Sequence, residues 1–370
     1  MEHLSEVLRI LDGALRHDPS SAVSYAQLLA DKLEKEGAIR QARAVRLTLA
    51  KGPALVGATK ASMSPKDDDS RLDIVQTELV AAEPKSLVLP KLVDDRLNEF
   101  VEGISQHDAL MTEGVESPNR LLLYGPPGTG KTSIARRLAW QLGLPLITTR
   151  SDTLVSSLLG STSKNIHRVF EYAKRTPCVL FLDEFDALAK ARNDSREIGE
   201  LQRIVIALIQ NLDSFPTECV LVAATNQADM LDPAIWRRFE VVLGLPLPTA
   251  ELRARLWQLA LGRHCPTGKD LEALVRESEG LSPAVIALVA RDVLRLQIYR
   301  EAEEPATPGL ILRRLARLLW VDRYDAFEDP SSEMRALREW SPSVFTFRTL
   351  ASLFNVSTRQ VANAIGREHD

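Results

Sequence analysis

The sequence has little cysteine, no long apolar run and no excess of positive charge. Its three cysteines among 370 residues, Cys178, Cys219 and Cys265, are far apart and odd in number, without the spacing of a metal site. Cys178 and Cys219 open the apolar runs "CVLFLDE" and "CVLVAATN", where a small buried residue is expected. All three read as reduced core thiols of a cytoplasmic protein. Every apolar run falls short of the roughly 20 residues needed to span a membrane. The acidic, periodic start "MEHLSEVLRILDG" is unlike a signal peptide. Lys and Arg total 46 against 50 Asp and Glu, a formal net charge of −4. That balance excludes a global basic field for nucleic acid or an anionic membrane, so any DNA contact needs a local patch. Internal repeats and low-complexity tracts are missing too.

What is present is a soluble globular composition, 45% hydrophobic and 26% charged, long enough for two or three domains. Residues 1–50 place apolar side chains at helical spacing (Leu4, Val7, Leu8, Leu11, Leu15, then Leu28, Leu29, Leu33), and predict a helical, adaptor-like module. Residues 51–89 begin without periodicity, in a mixture of Gly, Pro, Ser and charge, and read as a linker. Over 90–248 short apolar runs ("RLLLYG", "LPLIT", "CVLFLDE", "CVLVAAT", "EVVLGL") alternate with helical stretches. That alternation predicts a mainly parallel sheet covered on both faces. Residues 249–303 are helical throughout, and 304–370 form a last helical segment broken by Pro and acidic residues.

"GPPGTGKT", residues 125–132, follows the strand-like "RLLLY" and opens a helix, the context a phosphate-binding loop requires. Gly125, Gly128 and Gly130, with Pro126, Pro127 and Thr129 between them, let backbone N–H groups converge on phosphate oxygens at the positive end of a helix. Lys131 would reach the outer phosphates of ATP and Thr132 would coordinate Mg²⁺. About fifty residues on, "VLFLDEFD" is a buried strand ending in Asp183 and Glu184, where ligands of parallel sheets bind. Asp183 would hold Mg²⁺ through water, and Glu184 would orient and polarise the attacking water.

The P-loop, "VLFLDEFD", "VAATN" and "LDPAIWRRFE", in this order, resemble an AAA+ ATPase, specifically the AAA branch that remodels proteins. The resemblance covers about 115 to 300. It implies a P-loop α/β fold, a parallel sheet sandwiched by helices, with an α-helical lid and, here, extra helical N- and C-terminal segments. It implies that Asn226 senses the γ-phosphate and helps place the water. Arg237 and Arg238 match the family's adjacent fingers, which act on ATP bound to the next subunit of a homo-oligomeric ring, by resemblance a hexamer. Ser282 and Pro283 would open the last lid helix, in place of the family's usual Ser-Gly. Leu158 and Leu159, before Gly160, hold the place of the first pore loop that grips a threaded polypeptide, and 190–200 that of the second.

The C-terminal "FRTLASLFNVSTRQVANAIGRE" reads as a helix-turn-helix. Ala351 sits where the helices cross, Ser357 and Gln360 form a capping box, Val361 and Ile365 pack inward, and Thr358, Arg359 and Asn363 face out. Arg313, Arg314 and Arg317 would add phosphate contacts. Three functions follow: a ring ATPase that unfolds or remodels a protein, serving an effector such as a protease; a DNA-associated ATPase or regulator; or a nucleotide-switched assembly scaffold.

Overall fold

The computed structural model describes residues 3–15, 19–35, 37–51, 65–66, 73–83, 87–150, 159–189, 198–217, 219–299, 301, 304–320 and 328–366. The chain divides into two compact units. The first comprises Met1–Lys85, Lys91–Gly125 and Lys131–Leu245, and the second Ser86–Pro90, Pro126–Gly130 and Pro246–Asp370.

In the first unit three helices, α1 (Leu4–Leu15), α2 (Pro19–Lys35) and α3 (Ile39–Lys51), pack successively. They precede strand β1 (Val75–Glu78), helices α4 (Lys91–Ser105) and α5 (His107–Thr112), and strand β2 (Arg120–Tyr124). Helix α6 (Lys131–Leu142), β3 (Leu146–Thr149), α7 (Leu159–Lys174) and β4 (Val179–Leu182) follow. Then come α8 (Asp186–Ala189), α9 (Ile198–Asp213), β5 (Val220–Thr225), α10 (Pro233–Trp236) and β6 (Val241–Gly244). The six strands lie in the order β1-β3-β4-β5-β2-β6, parallel except for β1, which runs antiparallel to β3. The interior strands β4 and β5 are buried at every position, as continuous apolar runs in a sheet covered on both faces should be. The expected α/β architecture is therefore present.

One difference concerns the stretch read as linker. Residues 75–78 form the edge strand β1, paired from Val75↔Thr149 to Glu78↔Leu146. "VQTE" is short and half polar because an edge strand needs only one buried side chain, here Val75. The N-terminal helices lie near the start of β5, at the opposite end of that strand from Thr225: Tyr25 of α2 is buried, with its hydroxyl 4.0 Å from Cys219 Sγ. The three cysteines are buried thiols that form no disulfide among the described residues. Cys178 and Cys219 stand side by side before β4 and β5, their thiols 3.5 and 3.7 Å from the Ala173 carbonyl oxygen. A hydrogen bond to Cys219, together with burial, holds the Cys178 thiol well above its ordinary range.

The second unit is helical: α11 (Ala250–Leu261), α12 (Gly268–Glu277), α13 (Pro283–Tyr299), α14 (Pro308–Leu319), α15 (Pro330–Trp340), α16 (Phe347–Phe354) and α17 (Thr358–Ile365). Side chains fix where several of these begin. Thr249, Thr307, Asp329, Thr346 and Ser357 each accept a backbone N–H of the first turn. Pro283 occupies the first helical position of α13, as expected from its fixed φ. The sequence separates 249–303 from 304–370, but the structure gives both segments one hydrophobic core. That core runs from Trp257 and Leu261 through Ile286, Ile311 and Leu315 to Leu350 and Val361.

Candidate nucleotide site

The P-loop joins β2 to α6 at the carboxyl end of the strands. Gly125 donates its backbone N–H to Thr225 O at 3.3 Å, which ties the loop's first residue to the end of β5. Its φ of +144° and a built Cβ only 2.3 Å from Leu245 O leave room for glycine alone. Gly128 has φ +76°, and a Cβ there would meet Ser282 Oγ and Ala284 Cβ at 2.7 and 2.8 Å. Ala284 also donates its N–H to Gly128 O at 3.1 Å, so the loop's middle is held by the start of α13. Thr129 is buried and its hydroxyl donates to Pro126 O at 2.9 Å.

Lys131 is 8% exposed, with Nζ donating to Gly125 O at 2.7 Å. Burial lowers its pKa from the usual lysine value, while Asp183 and Asp186 pull the other way. A partly desolvated ammonium of this kind gains strongly from an incoming phosphate. Thr132 is exposed and its Oγ1 lies 3.2 Å from Asp183 Oδ2. Thr132 and Asp183 thus pair two hard oxygen donors beside the lysine, a donor set that suits Mg²⁺.

Glu184 is exposed, follows β4 directly and adopts the left-handed conformation, φ +50°. Its own N–H is taken by Asp183 Oδ1 at 2.9 Å, and the next N–H, of Phe185, by Ala224 O at 2.8 Å. Two neighbouring hydrogen bonds therefore enforce a backbone that costs a non-glycine residue energy, which is the usual signature of a functional position. Asn226, exposed at the end of β5, is set by a contact that sequence reading missed. Thr225 Oγ1 donates to Asp186 Oδ1 at 2.9 Å and accepts the Gln227 N–H at 2.9 Å. Asp186 therefore links the acidic turn after β4 to the turn that carries Asn226; its place in "LDEFD" was the available signal.

The two arginines separate clearly. Asp232 caps α10 by accepting the Ala234 N–H at 2.8 Å, and Pro233 starts the helix, so its four residues deliver Arg237 and Arg238 at its end. Arg238 is half-buried, donating through Nε to Asp213 at 3.1 Å and through Nη1 to Ala234 O at 3.1 Å. Arg237 is exposed; its backbone N–H bonds to Pro233 O at 3.3 Å, but its guanidinium has no hydrogen-bond or ion-pair partner among the described residues. It lines an open cavity of about 400 Å³ with Tyr124, Asp229, Leu231 and Trp236. The Tyr124 and Trp236 rings are 5.7 Å apart, which braces α10 against the end of β2. Leu158 lies outside the described residues, as does the Leu159 side chain, whose backbone opens α7; residues 190–197 are likewise outside them. No described helix is long and apolar enough to cross a membrane.

Comparison with known proteins agrees with this geometry. The family model described as "ATPase family associated with various cellular activities (AAA)" matches residues 121–247. The chain is 34% identical over 283 residues to an uncharacterized AAA family ATPase, y4kL, of Sinorhizobium fredii (strain NBRC 101917 / NGR234), covering 76% of this chain and 86% of that one. It is 33% identical over 235 residues to the proteasome-activating nucleotidase of Pyrococcus horikoshii, covering 61% of this chain and 59% of the relative. With the 26S protease regulatory subunit 6A of Caenorhabditis elegans it shares 32% identity over 251 residues, 65% of this chain and 58% of the relative. The chain therefore belongs to the AAA family of ATPases, enzymes that hydrolyse ATP.

Proposed function

We propose that this ATPase works as a homo-oligomeric ring, by family resemblance a hexamer, that turns hydrolysis into mechanical work on a protein substrate, serving an effector such as a protease. The observation that carries the reading is the exposed Arg237, its guanidinium unpartnered among the described residues, beside the tethered Arg238. A guanidinium with no anion beside it among the described residues suits a neighbour's ATP, and the names of the proteasome-associated relatives support the substrate class.

In this reading the P-loop amides and Lys131 hold the phosphates. The Lys131 ammonium exchanges the Gly125 carbonyl for a phosphate oxygen when ATP enters. Thr132, and Asp183 through water, would hold Mg²⁺, which when bound would supply charge neutralisation. Glu184 accepts hydrogen bonds from the attacking water and orients it, from a backbone already fixed in the required turn. Asn226 positions the same water from the adjacent strand end. Arg237 supplies the positive charge that stabilises the γ-phosphoryl as it transfers, worth about 10³- to 10⁵-fold in rate when delivered by a neighbour. Arg238, through Asp213, fixes the direction in which the pair leaves α10. Leu158 and Leu159 would grip an extended polypeptide.

The test is the steady-state ATPase rate of the full chain, alone and with an unfolded polypeptide, using Glu184→Gln as the blank. Polypeptide stimulation that disappears in Leu158→Ala is the expected result. An ATPase indifferent to polypeptide would refute the remodelling role, leaving the enzyme class intact.

A further inference from the structure

We propose that the C-terminal helix-turn-helix, α16 and α17, is a binding site for double-stranded DNA. The inference is independent of the remodelling reading and rests on four features of the second unit.

The first is the turn itself. Asn355 ends α16 in the left-handed conformation, φ 54° and ψ 48°, and Val356 donates its N–H back to Ala351 O at 3.0 Å. Two residues later Ser357 starts α17: its Oγ accepts the Gln360 N–H at 3.2 Å, and its own N–H reaches Gln360 Oε1 at 2.8 Å. A three-residue connection between two eight-residue helices is thereby fixed by hydrogen bonds at both ends. Small Ala351 is buried, and Leu350 and Val361, one from each helix, are fully buried. These are the parts of a helix-turn-helix, the motif that many DNA-reading proteins use.

The second is the face that α17 leaves open. Thr358, Arg359, Ala362 and Asn363 are exposed along one side, while Val361, Ala364 and Ile365 turn inward. Arginine reads guanine, asparagine reads adenine, and the methyl groups of threonine and alanine fit against thymine. Short side chains next to the arginine let the helix backbone approach the floor of the major groove. The first turn of the second helix is where such motifs place their base contacts.

The third is charge. From Ser341 to Gly366 there is no Asp or Glu, although the chain carries 50 of them in 370 residues. The exposed charges on the two helices are Arg348 and Arg359. In an acidic protein, a stretch free of acidic residues and carrying an exposed arginine on each helix is complementary to a polyanion.

The fourth is rigidity. Arg313 of α14 donates to both carboxylate oxygens of Glu333 on α15 at 2.8 Å, to Leu353 O at 3.1 Å, and stacks 4.0 Å from the centre of the Phe354 ring. Gly309 lets α14 approach α16 so closely that a Cβ there would lie 2.7 Å from Thr349 Cγ2. The reading helix is therefore mounted on a preformed support, which spares the ordering cost of binding.

The experiment is selection of a random duplex library on the purified full-length chain, followed by anisotropy titration of the enriched duplex between 50 and 200 mM KCl. We expect an enriched motif, affinity that falls with salt, and at least a tenfold loss in Arg359→Ala. Asn363→Ala should alter the selected sequence, and Arg348→Ala should weaken all sequences alike. Basal ATPase rate and helical content confirm that each variant is folded, since none of these residues belongs to the nucleotide site. No enrichment by the wild-type chain, or equal affinity in Arg359→Ala, would overturn the assignment, as would preference for single-stranded over duplex DNA.

Discussion

Arg237 and Arg313 are both arginines on helices that sequence reading offered to a phosphate, one of ATP and one of DNA. The structure treats them oppositely. Arg237 stands exposed at the end of the four-residue α10, and its guanidinium is bonded to nothing among the described residues. Arg313 is clamped by the buried Glu333, which also takes two hydrogen bonds at 2.9 Å from Arg317, while Arg314 lies 3.6 Å from Asp292. Arg313 and Arg317 are therefore structural cations, a correction to their reading as phosphate contacts, and in the proposed DNA site that role would fall to Arg348. A free guanidinium close to a nucleotide motif is available for catalysis. One that neutralises a buried carboxylate is committed to holding its unit together.

The largest test of this contrast is kinetic. Arg237→Ala should lower ATPase turnover by about 10³-fold with little change in ATP binding. Arg238→Ala should cost less, because its tether to Asp213 marks it as the positioning member; the two rates are compared under saturating ATP. Equal losses would erase the distinction.

Next comes stability. Glu333→Ala leaves two arginines without their buried partner and should destabilise the second unit by about 3 kcal/mol, measured by denaturant unfolding. The same carboxylate predicts an acid response. Burial pushes the Glu333 pKa up, but hydrogen bonds from Arg313 and Arg317 outweigh it, and the net direction is down. A carboxylate depressed in the folded state contributes stability that is full above its unfolded pKa of about 4.3 and is lost as pH falls through the folded value. Unfolding midpoints should therefore drop below about pH 4.5, and less steeply in Glu333→Gln.

The smallest effect is at Glu184. Because its φ is +50°, Glu184→Gly should relieve strain and stabilise the first unit by about 0.5 kcal/mol while abolishing hydrolysis. A destabilised variant would mean the turn is not strained.

What could be read from sequence follows from the same contrast. The P-loop, Asp183 and Glu184 were legible because glycine, lysine and acid at strand ends form a local pattern set by backbone geometry. The capping box at Ser357 was legible for the same reason, since both partners lie within one turn. The Thr225–Asp186 link and the Glu333 clamp were not, because each joins residues distant in sequence. An amphipathic helix shows its arginines without showing which acid they meet. β1 escaped notice because "VQTE" has too little apolar alternation to stand out, and the shared core of 249–366 because a loop break does not reveal that two helical stretches pack together.

The central claim is that catalysis is completed between copies of the chain, and mixing tests it directly. Arg237→Ala supplies an intact P-loop, Lys131→Ala supplies an intact finger, and each alone should be nearly inactive. Combined before assembly, they should recover a substantial fraction of wild-type ATPase turnover. If every mixing ratio stays at the level of the separate variants, Arg237 does not act on a neighbour's ATP and the account is wrong.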